Sequence, residues 1–310
     1  MLDLNEVNQW KNNGYVIKSN IIENYLITKS IEFLKSTDCE NMFVNEFGSN
    51  NNQLEFPTGF IIDKITINQN IIKCVKQLLN TDDVLLAQSD AWRKTDKNSL
   101  NSDQRMHMDY GNNTFLHPSD WNMPEAVAII IYFSDINDTG GGTAIVPRQN
   151  DDDELYKPPY VNMPGYGNLK FYNNKSQAEE YLSKFNGIGK FRNKLYDREI
   201  ITTPKEGDIL FYRLDTWHRG TPLLKGKIRY VMNLLFKKKE CNWINYWNVG
   251  LTKKMYNGFL EKMFTEMTPE QRSVLGVPKP GDKYWTLEKL EYLKARYPNI
   301  NIQPYKLYIN

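Results

Sequence analysis

The chain has few of the residues that most often announce a mechanism. Its 310 residues hold three histidines and three cysteines; Cys39, Cys74 and Cys241 are odd in number and widely scattered. Such a set argues against a disulfide framework and against a Cys-rich zinc site. An excess of one charge is missing as well: 39 Lys and Arg stand against 37 Asp and Glu, which leaves +2. That balance gives no basic field for nucleic-acid backbones or anionic membranes. The longest strongly apolar run, Ala126 to Phe133, falls far short of the ~20 residues that a spanning helix needs. The first residues, Met-Leu-Asp-Leu-Asn-Glu, show no basic segment followed by an apolar one, so no signal peptide is expected. The expectation is a soluble, cytoplasmic protein with no membrane partner. Aromatics, by contrast, reach 13% with 19 Tyr, and a chain so rich in them can build a substantial core.

Hydrophobic periodicity divides the chain into three stretches. In the first, residues 1–83, Leu4, Val7 and Trp10 share a helical face closed by Asn12-Asn13-Gly14. Tyr15-Val16-Ile17 is β-prone, and a second helix fits Glu23 to Ser36. From 84 to 236 short β-prone runs alternate with turn residues: Val84–Trp92, Arg105–Tyr110, Ala126–Phe133, Thr143–Val146, Glu199–Thr202, Ile209–Arg213 and Ile228–Phe236. Many short strands punctuated by Gly and Pro indicate a sandwich or barrel. An insertion, 148–197, interrupts them; it carries the acidic run Asp151 to Glu154 and a helical pattern from Ser176 to Phe185. Long insertions of this kind are often lids, and its polar composition predicts a segment that buries little and covers the barrel mouth. The last stretch, 237–310, is helical again. Thr268-Pro269-Glu270-Gln271 is a capping box with Pro at the first helical position, Gly276 stands where that helix should end, and Thr286 can cap a helix stopping before Pro298. Helices before and after one β-core predict a single domain over 1–310.

His107-Met108-Asp109 is a His-x-Asp pair. Side chains at i and i+2 of a strand point the same way, so both can converge on one ion. His218, beyond the strand Ile209–Arg213, is the candidate third ligand. Two neutral imidazoles and a carboxylate make the facial triad of non-haem Fe(II) oxygenases, which leaves positions open for a co-substrate. Arg229 stands in Ile228-Arg229-Tyr230-Val231-Met232-Asn233-Leu234-Leu235-Phe236. Ile228, Tyr230, Met232, Leu234 and Phe236 form an apolar face for packing under helices, while Arg229, Val231, Asn233 and Leu235 face the other way. An inward arginine needs an anion. The distal carboxylate of 2-oxoglutarate fits its bidentate fork; a structural salt bridge to Asp or Glu fits as well.

Other signals carry less. Asp135-x-Asn137-x-Thr139-Gly140 imitates half of a calcium loop, but Val146 occupies the place of the closing Glu. Gly140-Gly141-Gly142 lacks the Gly-Lys-Ser/Thr of a phosphate loop and reads as a tight turn. His117 reads as an ordinary loop residue and Lys237-Lys238-Lys239 as a solvated strand end. Arg219 has two open readings, a surface arginine or one that meets an acidic substrate in the cavity.

The order His107-x-Asp109, Gly207-Asp208, His218 and Arg229 resembles the phytanoyl-CoA dioxygenase family of Fe(II)/2-oxoglutarate oxygenases. Asn13-Gly14-Tyr15-Val16-Ile17 followed by a helix is similar to that family's N-terminal segment. Ile131 to Asp135 leading to Gly140-Gly141-Gly142-Thr143-Ala144-Ile145-Val146-Pro147 is similar to its strand, Gly-rich turn and strand. The resemblance also takes in Thr268 to Arg272, Leu275 to Pro278, Tyr284-Trp285-Thr286 and Arg296-Tyr297-Pro298. One departure is clear: Pro147-Arg148-Gln149-Asn150 stands where the family often has Pro-Gly-Ser-His. The resemblance implies a mainly β fold with flanking helices around a double-stranded β-helix (jelly roll, cupin-like) core. It implies Fe(II) on His107, Asp109 and His218, 2-oxoglutarate paired with Arg229, and O2 as co-substrate. The implied reaction hydroxylates an aliphatic carbon of a small molecule and releases succinate and CO2. A protein or nucleic-acid hydroxylase and a non-catalytic jelly-roll binding module stand as alternatives; the near-neutral charge disfavours nucleic acid and leaves a protein substrate open.

Overall fold

The computed structural model describes residues 1–39, 53–56, 58, 60–96, 103–118, 120–244 and 264–309. Among these residues, nine strands form two antiparallel sheets. In chain order they are β1 (Tyr15–Lys18), β2 (Gln53–Glu55), β3 (Val84–Thr95), β4 (Ala126–Tyr132), β5 (Thr143–Ile145), β6 (Ile200–Ile201), β7 (Ile209–Arg213), β8 (His218–Gly220) and β9 (Ile228–Lys238). The larger sheet has the order β1-β7-β4-β9-β3-β2, and the smaller one β6-β5-β8. Non-consecutive strands lie side by side in both, as in a jelly roll.

The period-2 alternation of β9 explains how the larger sheet sits. Tyr230, Met232, Leu234 and Phe236 join Val127, Ile129, Ile131, Ile209 and Phe211 in one buried cluster. The helices Leu4–Asn13, Asn24–Cys39 and Gln69–Leu79 cover that face, and Trp10, Leu34 and Leu78 are buried in the same cluster. Val231 and Leu235 face the other way, among Trp92, Ala128, Tyr132, Leu210 and Tyr212. This inner face meets the smaller sheet: the Tyr132 hydroxyl and Thr143 Oγ1 are 2.7 Å apart. Ile228 alone leaves the expected pattern and is exposed at the strand's start.

Two glycines fix how peripheral segments approach this interior. Gly14 closes the first helix at φ +89°, where a Cβ would lie 2.5 Å from Thr216 Oγ1. Gly141 turns the chain at φ +73° into β5, where a Cβ would lie 2.6 Å from a Leu223 methyl. The capping boxes at Asp3 and Thr268 are formed, and Thr286 caps Leu287–Arg296. The helix Gln69–Leu79 was not anticipated, although Asn68 caps it and Ile71, Val75 and Leu78 recur at helical spacing. The Lys237 ammonium is not solvated: its Nζ donates to Cys241 O at 2.9 Å, and burial lowers its pKa.

The insertion differs most from expectation. Leu155, Tyr156, Tyr160, Met163, Tyr166, Leu182 and Leu195 are all buried, most of them in the inner core. A second helix, Ile188–Arg198, not anticipated from the sequence, follows Lys175–Leu182. The composition was polar on average, but its apolar residues are spaced to reach one core. The segment is thus part of the packing. Leu195→Ala should cost about 2–5 kcal/mol in chemical denaturation, as deletion of a fully buried leucine side chain does. A cost below about 1 kcal/mol would mean that the insertion packs only loosely.

Candidate metal centre

The segment before the first candidate ligand is not the regular strand the sequence suggested. It pairs with β8 through a single bridge, in which His107 N donates to His218 O and His218 N to His107 O, both at 2.9 Å. The reciprocal pair sets the two imidazoles side by side, with ring centroids 4.4 Å apart. Beyond Met108 the chain turns: Asp109 N and Tyr110 N both donate to Leu214 O, at 3.0 and 3.2 Å, and a short helix, Tyr110–Asn113, begins. The turn swings the Asp109 carboxylate back against both rings.

One ligand atom each from His107, Asp109 and His218 lies within 4.8 Å of the others. Asp109 Oδ1 is 3.6 Å from His107 Nε2, and Oδ2 is 3.4 Å from His218 Nε2. Donors bound at ~2.1 Å and at right angles to one ion stand about 3 Å apart, so little movement closes the set on a cation. The tautomers suit it. His107 Nδ1 bonds Arg105 O and His218 Nδ1 bonds Thr216 O, each at 3.0 Å. A carbonyl only accepts, so each Nδ1 carries a proton and each Nε2 is the nitrogen left to face the carboxylate and, once free of any proton of its own, to ligate a cation. Tyr212 OH donates to Asp109 Oδ2 at 2.5 Å and holds the carboxylate from the larger sheet. This tyrosine escaped the sequence reading; its inward place on β7 was the available signal.

The charges agree with that chemistry. Burial pushes His107 well below the usual histidine range, and the neighbouring His218 and Arg105 add to the effect. Burial raises the Asp109 carboxyl, but the two histidines and the Tyr212 hydroxyl outweigh it and hold the group well below its ordinary value. His218 is raised: burial opposes its charge, and the Asp109 carboxylate more than compensates. Asp109 is therefore ionised and His107 neutral, and a divalent cation would replace the proton that His218 and Asp109 share. The residues present fit a resident Fe(II) in donor type and number.

Arg229 projects from β9 onto the same interior face as Val231 and Leu235. Its Nη1 donates to Gly141 O, and its Nε is buried without an acceptor. Among the described residues no carboxylate pairs with it, so the salt-bridge alternative has no partner there. Burial lowers its pKa. The other candidates lie elsewhere. Arg219 is held by Glu199, at 2.6 and 2.7 Å, and by Asp103 at 3.0 Å. His117 is buried against Tyr110, Tyr160 and Tyr292, where burial lowers its pKa to about 4.

With fold and site in place, likeness to solved structures becomes informative. No protein-family model and no curated protein matches the chain. The phytanoyl-CoA dioxygenase resemblance therefore gains no support at family level. The fold does match. The non-haem α-ketoglutarate-dependent epimerase SnoN, in a complex with Fe3+, α-ketoglutarate and nogalamycin RO, aligns at TM-score 0.53 and 14% identity, over 76% of this chain and 82% of its own. The carbocyclase SnoK of nogalamycin biosynthesis aligns at 0.53 and 12%, over 76% and 84%. HygX from Streptomyces hygroscopicus, with nickel and 2-oxoglutarate bound, aligns at 0.51 and 13%, over 82% and 94%. The fold is that of non-haem 2-oxoglutarate-dependent enzymes. At these identities the likeness concerns architecture alone.

Because Tyr212 orients the only carboxylate of the set, Tyr212→Phe should weaken metal binding roughly 10–100-fold, the usual effect of removing such a support. Calorimetric titration with Mn(II) would measure it. Parent-like affinity would show that the hydroxyl does not position Asp109.

Proposed function

We propose that residues 1–310 form one Fe(II)- and 2-oxoglutarate-dependent dioxygenase that hydroxylates an aliphatic carbon of a small molecule. One observation carries this reading: a jelly-roll interior brings two imidazole Nε2 atoms and a carboxylate to one point. It also holds a half-buried arginine with no carboxylate partner among the described residues. His107, Asp109 and His218 would hold the iron, and Arg229 would receive the distal carboxylate of 2-oxoglutarate. When bound, iron with 2-oxoglutarate and O2 supplies oxidative decarboxylation, yielding succinate and CO2, and the power to oxidise an unactivated C–H bond.

The chain's own residues do the positioning. The carbonyls of Arg105 and Thr216 fix both imidazole tautomers, and the Tyr212 hydroxyl keeps one oxygen of Asp109 engaged. Arg229 fixes the co-substrate end to end, because a guanidinium fork sets the direction of the carboxylate it binds. Burial of His107 and His218, with Asp109 only partly exposed, limits the access of bulk water to the reacting centre. Proteins of similar fold carry out epimerisation and carbocyclisation, and one was crystallised with nogalamycin RO. They support a small-molecule substrate and leave hydroxylation as the finer part of the proposal. Mass spectrometry separates the outcomes: hydroxylation gives a product one oxygen heavier, epimerisation one of unchanged mass, and ring closure one lighter by two hydrogens.

His107→Ala, Asp109→Ala and His218→Ala should each abolish succinate formation and metal uptake by the anaerobic protein. Full activity in a variant lacking all three would sink the assignment. Arg229→Ala would strand a carboxylate in a partly dry pocket, a loss of about 2–5 kcal/mol. The dissociation constant for 2-oxoglutarate should therefore rise about thirtyfold or more. Arg229→Lys should recover only part, since an ammonium cannot make the planar two-bond contact. Unchanged binding in both variants would make Arg229 structural.

A further inference from the structure

Arg229 does not stand alone at its end of the interior. Lys94 lies directly opposite it in the register of β3 and β9, and residues so paired carry their side chains on the same face. Lys94 Nζ donates to Thr221 O at 2.6 Å. Thr221 is joined in turn to the glycine turn: its N and Oγ1 donate to Gly142 O at 3.1 and 2.8 Å. The preceding carbonyl, Gly141 O, receives Arg229 Nη1. Two cations from adjacent strands are thus anchored on one linked pair of backbone segments.

Both keep donors in reserve. Arg229 Nε is buried without an acceptor, and an ammonium that gives one N–H to Thr221 has two more. Among the described residues neither cation is paired with a carboxylate. Asp103, the acidic group that acts on Lys94, is engaged by Arg219 at 3.0 Å. Two like charges on one face of a strand pair repel, and burial costs each of them solvation. An anion shared between them removes both penalties. The protonation behaviour agrees: burial first, then the Arg229 charge, lowers Lys94 to about 7.

We propose that Lys94 is the second cation of this pocket and binds, together with Arg229, the distal carboxylate of 2-oxoglutarate. The inference rests on the co-substrate assignment made above and adds a property that Arg229 alone would not give. Arginine stays charged throughout the accessible range, whereas Lys94 in the empty pocket loses its proton near neutrality. The other groups around it do not switch there: Arg219 on β8 is held positive by its carboxylates, burial keeps the Tyr132 phenol on β4 neutral, and Thr221 and Thr143 do not ionise. Below about pH 7 the pocket offers two charges. Above it, binding must take up a proton, so affinity for 2-oxoglutarate falls as pH rises, by up to roughly tenfold per pH unit.

Calorimetric titration of 2-oxoglutarate into the Mn(II)-loaded protein tests this without turnover. The parent should bind roughly tenfold more weakly at pH 8.5 than at pH 7 and take up a proton, seen as a heat that depends on the buffer. Lys94→Met should bind roughly tenfold more weakly at pH 6.5 and lose both the pH slope and the proton uptake. Lys94→Arg should keep the affinity and lose the slope. A parent-like slope in Lys94→Arg, or parent-like binding by folded Lys94→Met, overturns the proposal. If Arg229→Ala still weakens binding in that case, the co-substrate assignment stands without Lys94; if it does not, both fall.

Discussion

The site depends on one reciprocal pair of backbone hydrogen bonds, between His107 and His218. An exchanged N–H···O pair fixes two residues directly opposite each other, so side chains distant in sequence acquire a defined separation. A lone bridge is also permissive. Because the pairing stops after one residue pair, the chain is free to turn at Asp109, and Leu214 O receives the two amides released by the turn. A continued ladder would have carried Asp109 along the sheet instead of back across the two rings. The irregularity is therefore what lets three ligands meet.

The insertion buttresses that bridge from behind. Arg192 is fully buried; it donates to Met106 O at 2.9 Å and forms a two-pronged pair with Glu179 at 2.6 Å. Tyr196 OH receives Met106 N at 3.1 Å and donates to the same glutamate. Met106, next to His107, thus finds both its backbone partners in the insertion's helices, while Arg105 N donates to Asn173 O at 2.8 Å and Gln104 N to Gly220 O of β8 at 3.0 Å. A buried ion pair of this kind is costly unless its hydrogen bonds are complete, and here the guanidinium satisfies two backbone carbonyls besides the carboxylate. Such over-determined contacts keep the ligand segment in one conformation.

Charge separates the two ends of the interior. The ligand end collects a carboxylate between two imidazoles, and the other end collects Lys94 and Arg229. A dicarboxylic 2-oxoacid has the complementary arrangement, with a chelating end for a cation and an anionic end for the arginine and lysine. The rest of this inner face is largely apolar or aromatic, including Val231, Tyr132 and Trp92, which leaves the orientation of a ligand to charged groups.

The sequence by itself determined the alternation of β9, the capping box at Thr268, the glycine turn and the His-x-Asp pair with a later His and Arg. Each of these is written in local periodicity or in the chemistry of a single side chain. Tertiary structure alone decided the rest. Tyr212 and Lys94 are ordinary strand residues until β7 is laid against the ligand segment and β3 against β9. The burial of the insertion was misjudged because mean composition hides which side chains share a face, and its helix Ile188–Arg198 was not anticipated. The sequence placed Arg229 on an inward face but could not say whether an acidic side chain meets it, and it left Arg219 open; in the fold Arg219 is neutralised by Glu199 and Asp103, while Arg229 lacks a carboxylate partner among the described residues. Which cation finds an anion is set by what the fold brings within a few ångströms, and local sequence does not encode that distance.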